Sequence, residues 1–440
     1  MGTLSLDSID FDDDKLYFMY RYGDVRVQRG IDFHGQADLT YWRRDKGFMQ
    51  LVQYCALMYA VYFYSLEFFD QVAVPFSLNS QELHFFESTF TRGLAEYKYQ
   101  NGIAVDRSIR IVYDETDTSS FQPLRAARLS DALVMNGGGK DGAVGMELAR
   151  KIGLDVTWFS LNKNASRERI VKASGVSKNV VLSRIVDDFV KSHATLSGHK
   201  PMSAYVGLVG VLVAYMQRKK YVVVSNELSA DAANIVIDGF EVNHQYSKSS
   251  TFEKLLQQLL DAKGYEQKYF SIIRPLHELQ VLKIFTTFPV YHRQFLSCNV
   301  GASQDSWCLD CSKCAFVVAA FYALHEDAAT AIWGSAESLL HEKNFQRHII
   351  ELINPELKPF ECIGTTSESL YVLRLLREKS LLQVTDEENR HVLENYLSRN
   401  VENDVFDMNH VSFASDSFPD ELKLKGHEVI SNALNNSDEI

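Results

Sequence analysis

The hydrophobic and polar positions change rhythm several times along the chain. Near the N-terminus two short strand-like runs, Lys15–Tyr20 and Asp24–Arg29, give way to helical spacing over 47–69 and 81–99. From Asp131 the texture becomes α/β. An apolar strand over Asp131–Asn136 leads through a glycine loop into a helix over Gly142–Ile152, followed by a second strand over Leu154–Leu161. A βαβ unit of this length implies a parallel sheet, on which ligands collect at the carboxyl ends of the strands. The all-apolar run Tyr221–Ser225 reads as another strand of that sheet, buried on both faces.

A capping-box helix is expected next. Ser250 and Glu253 stand at N-cap and N3, Phe252, Leu255, Leu256, Leu259 and Leu260 form one face, and Gly264 closes the helix. Three cysteines between 308 and 314 lead into an apolar helix over Ala315–Leu324, and an amphipathic helix is expected over Ser367–Leu382. The last 25 or so residues, polar and acidic, are expected to lack regular structure. The predicted organisation is therefore an N-terminal α+β region (1–128), an α/β domain (129–296), a four-cysteine segment (297–325) and a helical C-terminal region (326–440).

Composition narrows the class. The 440 residues are 46% hydrophobic and 23% charged, with only 23 Gly and 8 Pro, which excludes disordered and collagen-like chains. The formal charge of −12 argues against a nucleic-acid partner, whose phosphates attract the opposite excess. Six cysteines are too few for a disulfide framework, and five aspartates before Lys15 are unlike a signal peptide, so a cytoplasmic location is expected. The most apolar stretch, Tyr54–Leu66, is shorter than the ~20 residues that cross a bilayer. It reads as a core helix, and no membrane partner is expected.

The glycine loop, Gly137-Gly138-Gly139-Lys140-Asp141-Gly142, sits where a strand hands over to a helix, so backbone N–H groups converge on a bound anion. Lys140 adds a point charge, and Asp141 supplies an oxygen for a metal such as Mg²⁺. A Walker A loop would need Ser or Thr after the lysine, where Asp141 stands. Gly137, Gly139 and Gly142 match the dinucleotide pattern literally, yet the second strand ends in Phe159-Ser160-Leu161-Asn162 without the acid that holds a ribose. The loop instead resembles the PP-loop of ATP pyrophosphatases, Ser-Gly-Gly-x-Asp-Ser, with Gly138, Gly139 and Asp141 in register and glycine replacing serine at 137 and 142. That resemblance implies ATP as the ligand and a HUP-type parallel sheet. A glycine turn without a ligand is the plain alternative.

Cys298, Cys308, Cys311 and Cys314 are spaced to surround one tetrahedral metal, a structural Zn²⁺ with no open position; an Fe–S cluster or reduced thiols are the alternatives. Cys55 and Cys362, isolated in apolar or mixed contexts, read as core residues. Glu227 and Asp231 are spaced i, i+4 beyond the Tyr221–Ser225 strand. They point either to a metal or cation between them or to a helix capped by Asn226. Tyr246, Lys248 and Ser249 crowd a loop before a helix, suited to a diphosphate or carboxylate, or else simply solvated. Arg274, just before Pro275, is expected near a helix N-terminus, gripping a carboxylate bidentately. His277 and Glu278 read equally well as helix-surface residues.

Five segments carry a wider resemblance: Val224–Ala230, Asn243–Ser249, Ile273–Leu279, Leu296–Asn299 and Trp307–Phe316. Their order and wording resemble the MurL family of UDP-N-acetyl-α-D-muramoyl-L-alanyl-L-glutamate epimerases, from about residue 90 to about 325. The resemblance implies an ATP- and Mg²⁺-dependent enzyme that inverts the terminal L-Glu of UDP-MurNAc-L-Ala-L-Glu, releasing AMP and pyrophosphate. Activating the carboxylate as an acyl-adenylate removes its charge and brings the α-proton within reach of an ordinary base. Lys140, Asp141 and Glu227 are the candidate catalytic residues and Tyr246, Lys248, Ser249 and Arg274 the candidate substrate contacts. The identity of the base is not readable from the sequence. Two other outcomes remain open at this point: an amide- or nitrile-forming PP-loop enzyme like the 7-cyano-7-deazaguanine synthases, or a nucleotide-binding scaffold without activity.

Overall fold

The computed structural model describes residues 2–113, 122–125, 128–354, 359–384, 387–398 and 406–436. Among the described residues twelve strands follow in chain order: β1 (Gly2–Phe11), β2 (Lys15–Tyr22), β3 (Val25–Asp32), β4 (Phe69–Val74), β5 (Arg110–Tyr113), β6 (Arg128–Met135), β7 (Asp155–Leu161), β8 (Asn179–Ile185), β9 (Lys219–Val224), β10 (Ile235–Ile237), β11 (Phe240–Val242) and β12 (Lys268–Ser271). Ten of them form one mixed, mostly parallel sheet in the order β12-β9-β6-β7-β8-β3-β2-β1-β4-β5, while β10 and β11 pair as a small hairpin.

The five strands β12-β9-β6-β7-β8 are all parallel. In chain order they run 3-2-1-4-5 across the sheet, so the connections leaving β6 and β9 diverge and open a crevice at their carboxyl ends. The antiparallel pairing of β3 with β8, from Gly30↔Ile185 to Asp32↔Ser183, continues this block into the N-terminal strands. The portions before and after residue 128 therefore share a sheet. β1, which the acidic N-terminus concealed, lies between β2 and β4, with Leu4 and Leu6 buried.

Tyr54–Leu66 lies in the helix Lys46–Tyr59 and the 3₁₀ turn Ala60–Ser65, which line the core beside the helix Met202–Met216. Among the described residues no helix is long and apolar enough to cross a membrane. A second core gathers the other face of the parallel strands, the helices Lys140–Ile152, Glu278–Thr286 and Ser312–Leu324, and the C-terminal helices.

Two expectations need correction. The capping residue of the helix Ser250–Ala262 is Ser249, whose hydroxyl accepts from Phe252 N. Glu253 consequently falls one position later and turns inward to accept from Ser271 N at 3.0 Å. The polar tail is also ordered over Asp420–Asn435, a helix that buries Gly426, Ile430, Ala433 and Leu434 against the helix carrying the glycine loop. These residues recur at helical spacing among charged neighbours, a stripe that average polarity hides. Residues 437–440 of that tail lie outside the described residues.

Candidate functional site

A cavity of about 350 Å³ opens at the carboxyl ends of β6, β7 and β9. The glycine loop forms its floor. Gly138 has φ +82°, and a Cβ there would meet Ser166 Oγ at 2.3 Å, so this position requires glycine. Gly137 and Gly142 are different. A Cβ at 137 meets nothing within 4 Å, and one at 142 meets Met135 O at 3.5 Å, an ordinary contact. Gly139 caps the helix Lys140–Ile152, whose first-turn N–H groups lack intrahelical partners and favour an anion.

The segment leading into the four-cysteine knuckle supplies the opposite wall. Leu296 N donates to Gly138 O at 3.0 Å, and Ser297, Asn299 and Lys313 all line the cavity. The sulfurs of Cys298, Cys308, Cys311 and Cys314 lie within 4.8 Å of one another, with Cys308 and Cys314 3.7 Å apart. Four Zn–S bonds of ~2.3 Å in a tetrahedron place sulfurs just under ~4 Å apart, so the donor set fits one zinc ion. A metal there would fix the wall against the glycine loop and leave the chemistry to other groups.

Beneath the loop lies a charged cluster. Lys140, 1% exposed, pairs with Asp141 and with Glu278 Oε1 at 2.7 Å. Asp141, Glu227 and Glu278 each offer a carboxylate oxygen within 4.8 Å of the other two. Burial pushes the Glu278 carboxyl up to about 8, and the Asp141 and Glu227 charges add to the effect against the pull of Lys140. Burial disfavours the Asp141 charge as well, but Lys140 outweighs it and holds that carboxyl below its ordinary value. Glu278 Oε2 is buried and has no hydrogen-bond partner among the described residues. Three converging hard oxygens and one orphaned carboxylate oxygen fit a Mg²⁺ ion.

Glu278, which reads from the sequence as an ordinary helix-surface residue, is central to this cluster. It opens the helix Glu278–Thr286 but is only 3% exposed, because β12 and the turn after it carry that helix under the glycine loop. Its place in one of the five family-like segments was the available signal. The i, i+4 reading of Glu227 and Asp231 fails. Leu228–Asp231 is a single 3₁₀ turn, so Glu227 faces the cluster while Asp231 accepts from Ser250 N and lies 3.7 Å from Arg274. Asn226 therefore caps no α-helix.

Of the four expected substrate contacts, Lys248 alone lines the cavity. Tyr246 belongs to the apolar core, and Ser249 is spent on its cap. Arg274 is fully buried behind the wall and precedes a turn rather than a helix, since the helix starts at Glu278. Its guanidinium donates to Glu227 O at 2.8 Å, to Lys248 O and to Glu253 Oε2 at 3.0 Å. It thus clamps the two loops that present Glu227 and Lys248.

Beside Lys248 lies a second cluster. Its ammonium is 3.3 Å from Cys362 Sγ. The His244 ring pairs through Nδ1 with the buried Glu96, and its charge favours the thiolate form of Cys362. Burial opposes ionisation of the Cys362 thiol, yet Lys248, His244 and Lys313 bring it down to about 6. Cys362 is therefore no inert core residue.

A parallel sheet with a glycine loop and an adjacent carboxylate cluster at the carboxyl ends of its strands has the layout of an α/β protein with a small-molecule site at that edge. Comparison with known proteins narrows the class. The MurL N-terminal domain matches residues 1–272 and the MurL C-terminal domain residues 294–405, and the chain belongs to the MurL family. It is 33% identical over 320 residues to the UDP-N-acetyl-alpha-D-muramoyl-L-alanyl-L-glutamate epimerase of a Micromonospora species, covering 70% of each chain. The enzyme of the same name from Salinispora tropica is 33% identical over 327 residues, covering 70% of this chain and 69% of the relative. That from Xanthomonas oryzae pv. oryzae is 28% identical over 357 residues, covering 75% of each. The chain is accordingly an isomerase of the epimerase type.

Proposed function

We propose that this epimerase acts on UDP-MurNAc-L-Ala-L-Glu in peptidoglycan precursor synthesis, in the cytoplasm, and that it activates the terminal glutamate carboxyl with ATP before inverting the α-carbon. The observation that carries the reading is the joining of the glycine loop, through Asp141 on the cavity wall, to Lys140, Glu227 and Glu278 clustered behind it. The 3-2-1-4-5 order of the parallel strands supports a HUP-type domain with the loop as a PP-loop. The pyrophosphate portion of ATP lies over Gly137, Gly138, Gly139 and Gly142, held by backbone N–H groups and Lys140 in place of the serine hydroxyls.

Asp141, Glu227 and Glu278 would hold Mg²⁺, which when bound neutralises phosphate charge. Lys140 keeps Asp141 and Glu278 compatible with burial until anion and metal arrive. Lys248 faces the reacting carboxyl, where its charge offsets the negative charge that develops on the acyl oxygen. Ser225 Oγ, buried just beyond β9 with no hydrogen-bond partner among the described residues, supplies one further hydroxyl to the cavity. Cys298, Cys308, Cys311 and Cys314 hold a structural zinc.

The test is to incubate the protein with ATP, Mg²⁺ and UDP-MurNAc-L-Ala-L-Glu and to assay AMP, pyrophosphate and D-glutamate after acid hydrolysis of the product. All three are expected together. D-Glutamate formed without ATP, or an amide product in the presence of ammonia, would overturn the reading.

A further inference from the structure

The carboxylate cluster under the glycine loop is suited to phosphates and a metal, and it leaves the inversion itself without a base. The second cluster has the missing chemistry. Cys362 Sγ lies 3.3 Å from the Lys248 ammonium, and the His244 ring, itself tied to Glu96, also favours its thiolate form. A thiol beside a histidine that is in turn oriented by a carboxylate is the arrangement that generates a reactive sulfur. His199 stacks obliquely on His244, with ring centroids 4.2 Å apart, and closes the far side.

The cluster is joined to the cavity in two ways. Lys248 lines the cavity, and its charge interacts with Asp141 and Glu227 as well as with Cys362. Asn299, on the opposite wall, donates to Glu361 Oε2 at 3.2 Å, one residue from Cys362. Lys248 therefore stands at the cavity wall, with the Cys362 sulfur 3.3 Å behind its ammonium.

We infer that Cys362, as its thiolate, is the base that removes the α-proton of the terminal glutamyl residue. The inference rests on the epimerase reading given above. In the step, the Cα–H bond breaks and an S–H bond forms. The electron pair moves into the activated acyl group to give an enolate, whose oxygen is stabilised by Lys248. A new Cα–H bond then forms on the opposite face with a proton from water, and the hydroxide left behind takes the proton from Cys362. Thiolate and water are both regenerated. His244 and Glu96 are positioning residues that hold the sulfur.

The experiment separates activation from inversion. Full-length wild type and C362S are given ATP, Mg²⁺ and UDP-MurNAc-L-Ala-L-Glu in D2O, and both isotopic ATP–pyrophosphate exchange and deuterium at the glutamate α-carbon are measured. Loss of a general base predicts that C362S loses about 10²–10⁴-fold in α-deuteration, far more than it loses in pyrophosphate exchange. α-Deuteration within about threefold of wild type, well short of that loss, overturns the assignment and leaves the epimerase reading standing. Absence of pyrophosphate exchange in the wild type sinks the reading itself, and the assignment with it. Should C362S fail to fold, iodoacetamide is applied to the wild type and the modified cysteine identified by peptide mass. Inversion lost in proportion to alkylation of Cys362, with pyrophosphate exchange retained, supports the base. Complete alkylation with undiminished inversion refutes it.

Discussion

Two lysines of the site, Lys140 buried beneath the glycine loop and Lys248 half-buried at the cavity wall, have opposite kinds of partner. Lys140 is surrounded by oxygen: Asp141, Glu278 and, one carboxylate away, Glu227. Lys248 faces a sulfur and, beyond it, the His244–Glu96 pair. Burial disfavours the charge on each lysine, and in each case the anionic partners more than restore it. What differs is the partner. Carboxylates around Lys140 are hard ligands for a metal and phosphate site, whereas a thiol lowered to about 6 is a proton acceptor near neutral pH. The oxygen-rich side and the sulfur side of the site thus differ in the chemistry they can carry.

The sharpest way to break the contrast is Lys140→Ala. It strands Asp141 and Glu278 in a dry site, with an expected stability loss of about 3–5 kcal/mol by denaturant titration. AMP formation should fall by about 10²–10³-fold, as for loss of a preorganised charge; turnover like the wild type's would remove the nucleotide from the glycine loop. Cys308→Ser tests the shared wall. It should lower metal affinity by more than the roughly 10–100-fold that loss of an outer-shell partner costs, and chelation of the wild type should weaken ATP binding in parallel. Metal analysis and calorimetry check both.

Smaller effects sharpen the comparison on each side. Gly138→Ala should cost about 1–3 kcal/mol, because its φ of +82° is left-handed and Ser166 fills the space, and thermal unfolding reads it out. His244 belongs to the sulfur side, and its ring faces Glu96, His199 and Cys362. Burial lowers its basicity, but Cys362 and Glu96 raise it to about 9 from 6.5. The stability this charge contributes is fully present below pH 6.5 and lost as pH rises through about 9. His244→Gln should flatten that part of the stability–pH profile; an unchanged slope would show the ring to be neutral throughout. The mildest change is restoration of serine at 137 or 142. Neither position clashes, so stability should move by no more than about 0.5 kcal/mol, and a gain in nucleotide affinity would show that the hydroxyls add to the backbone donors.

Local pattern determined a good deal. The βαβ unit, the apolar strand β9, the core placement of Tyr54–Leu66 and the glycine loop at a strand end were legible because periodicity and glycine chemistry are properties of neighbouring residues. The spacing of the four cysteines likewise announced one cluster of sulfurs. Read locally, however, Arg274 pointed to a substrate carboxylate, and tertiary structure turned it inward onto Glu253 and two carbonyls.

Only the fold could gather the rest. Asp141, Glu227 and Glu278 come from three connections at the sheet's carboxyl edge, Cys362 meets Lys248 from 114 residues further along the chain, and His244 meets Glu96 across 148. Cys362 and Glu278 looked ordinary because nothing adjacent in sequence changes their chemistry. Acidity and basicity here come from burial and from charges brought near in space, and those quantities exist only once the chain has closed around them.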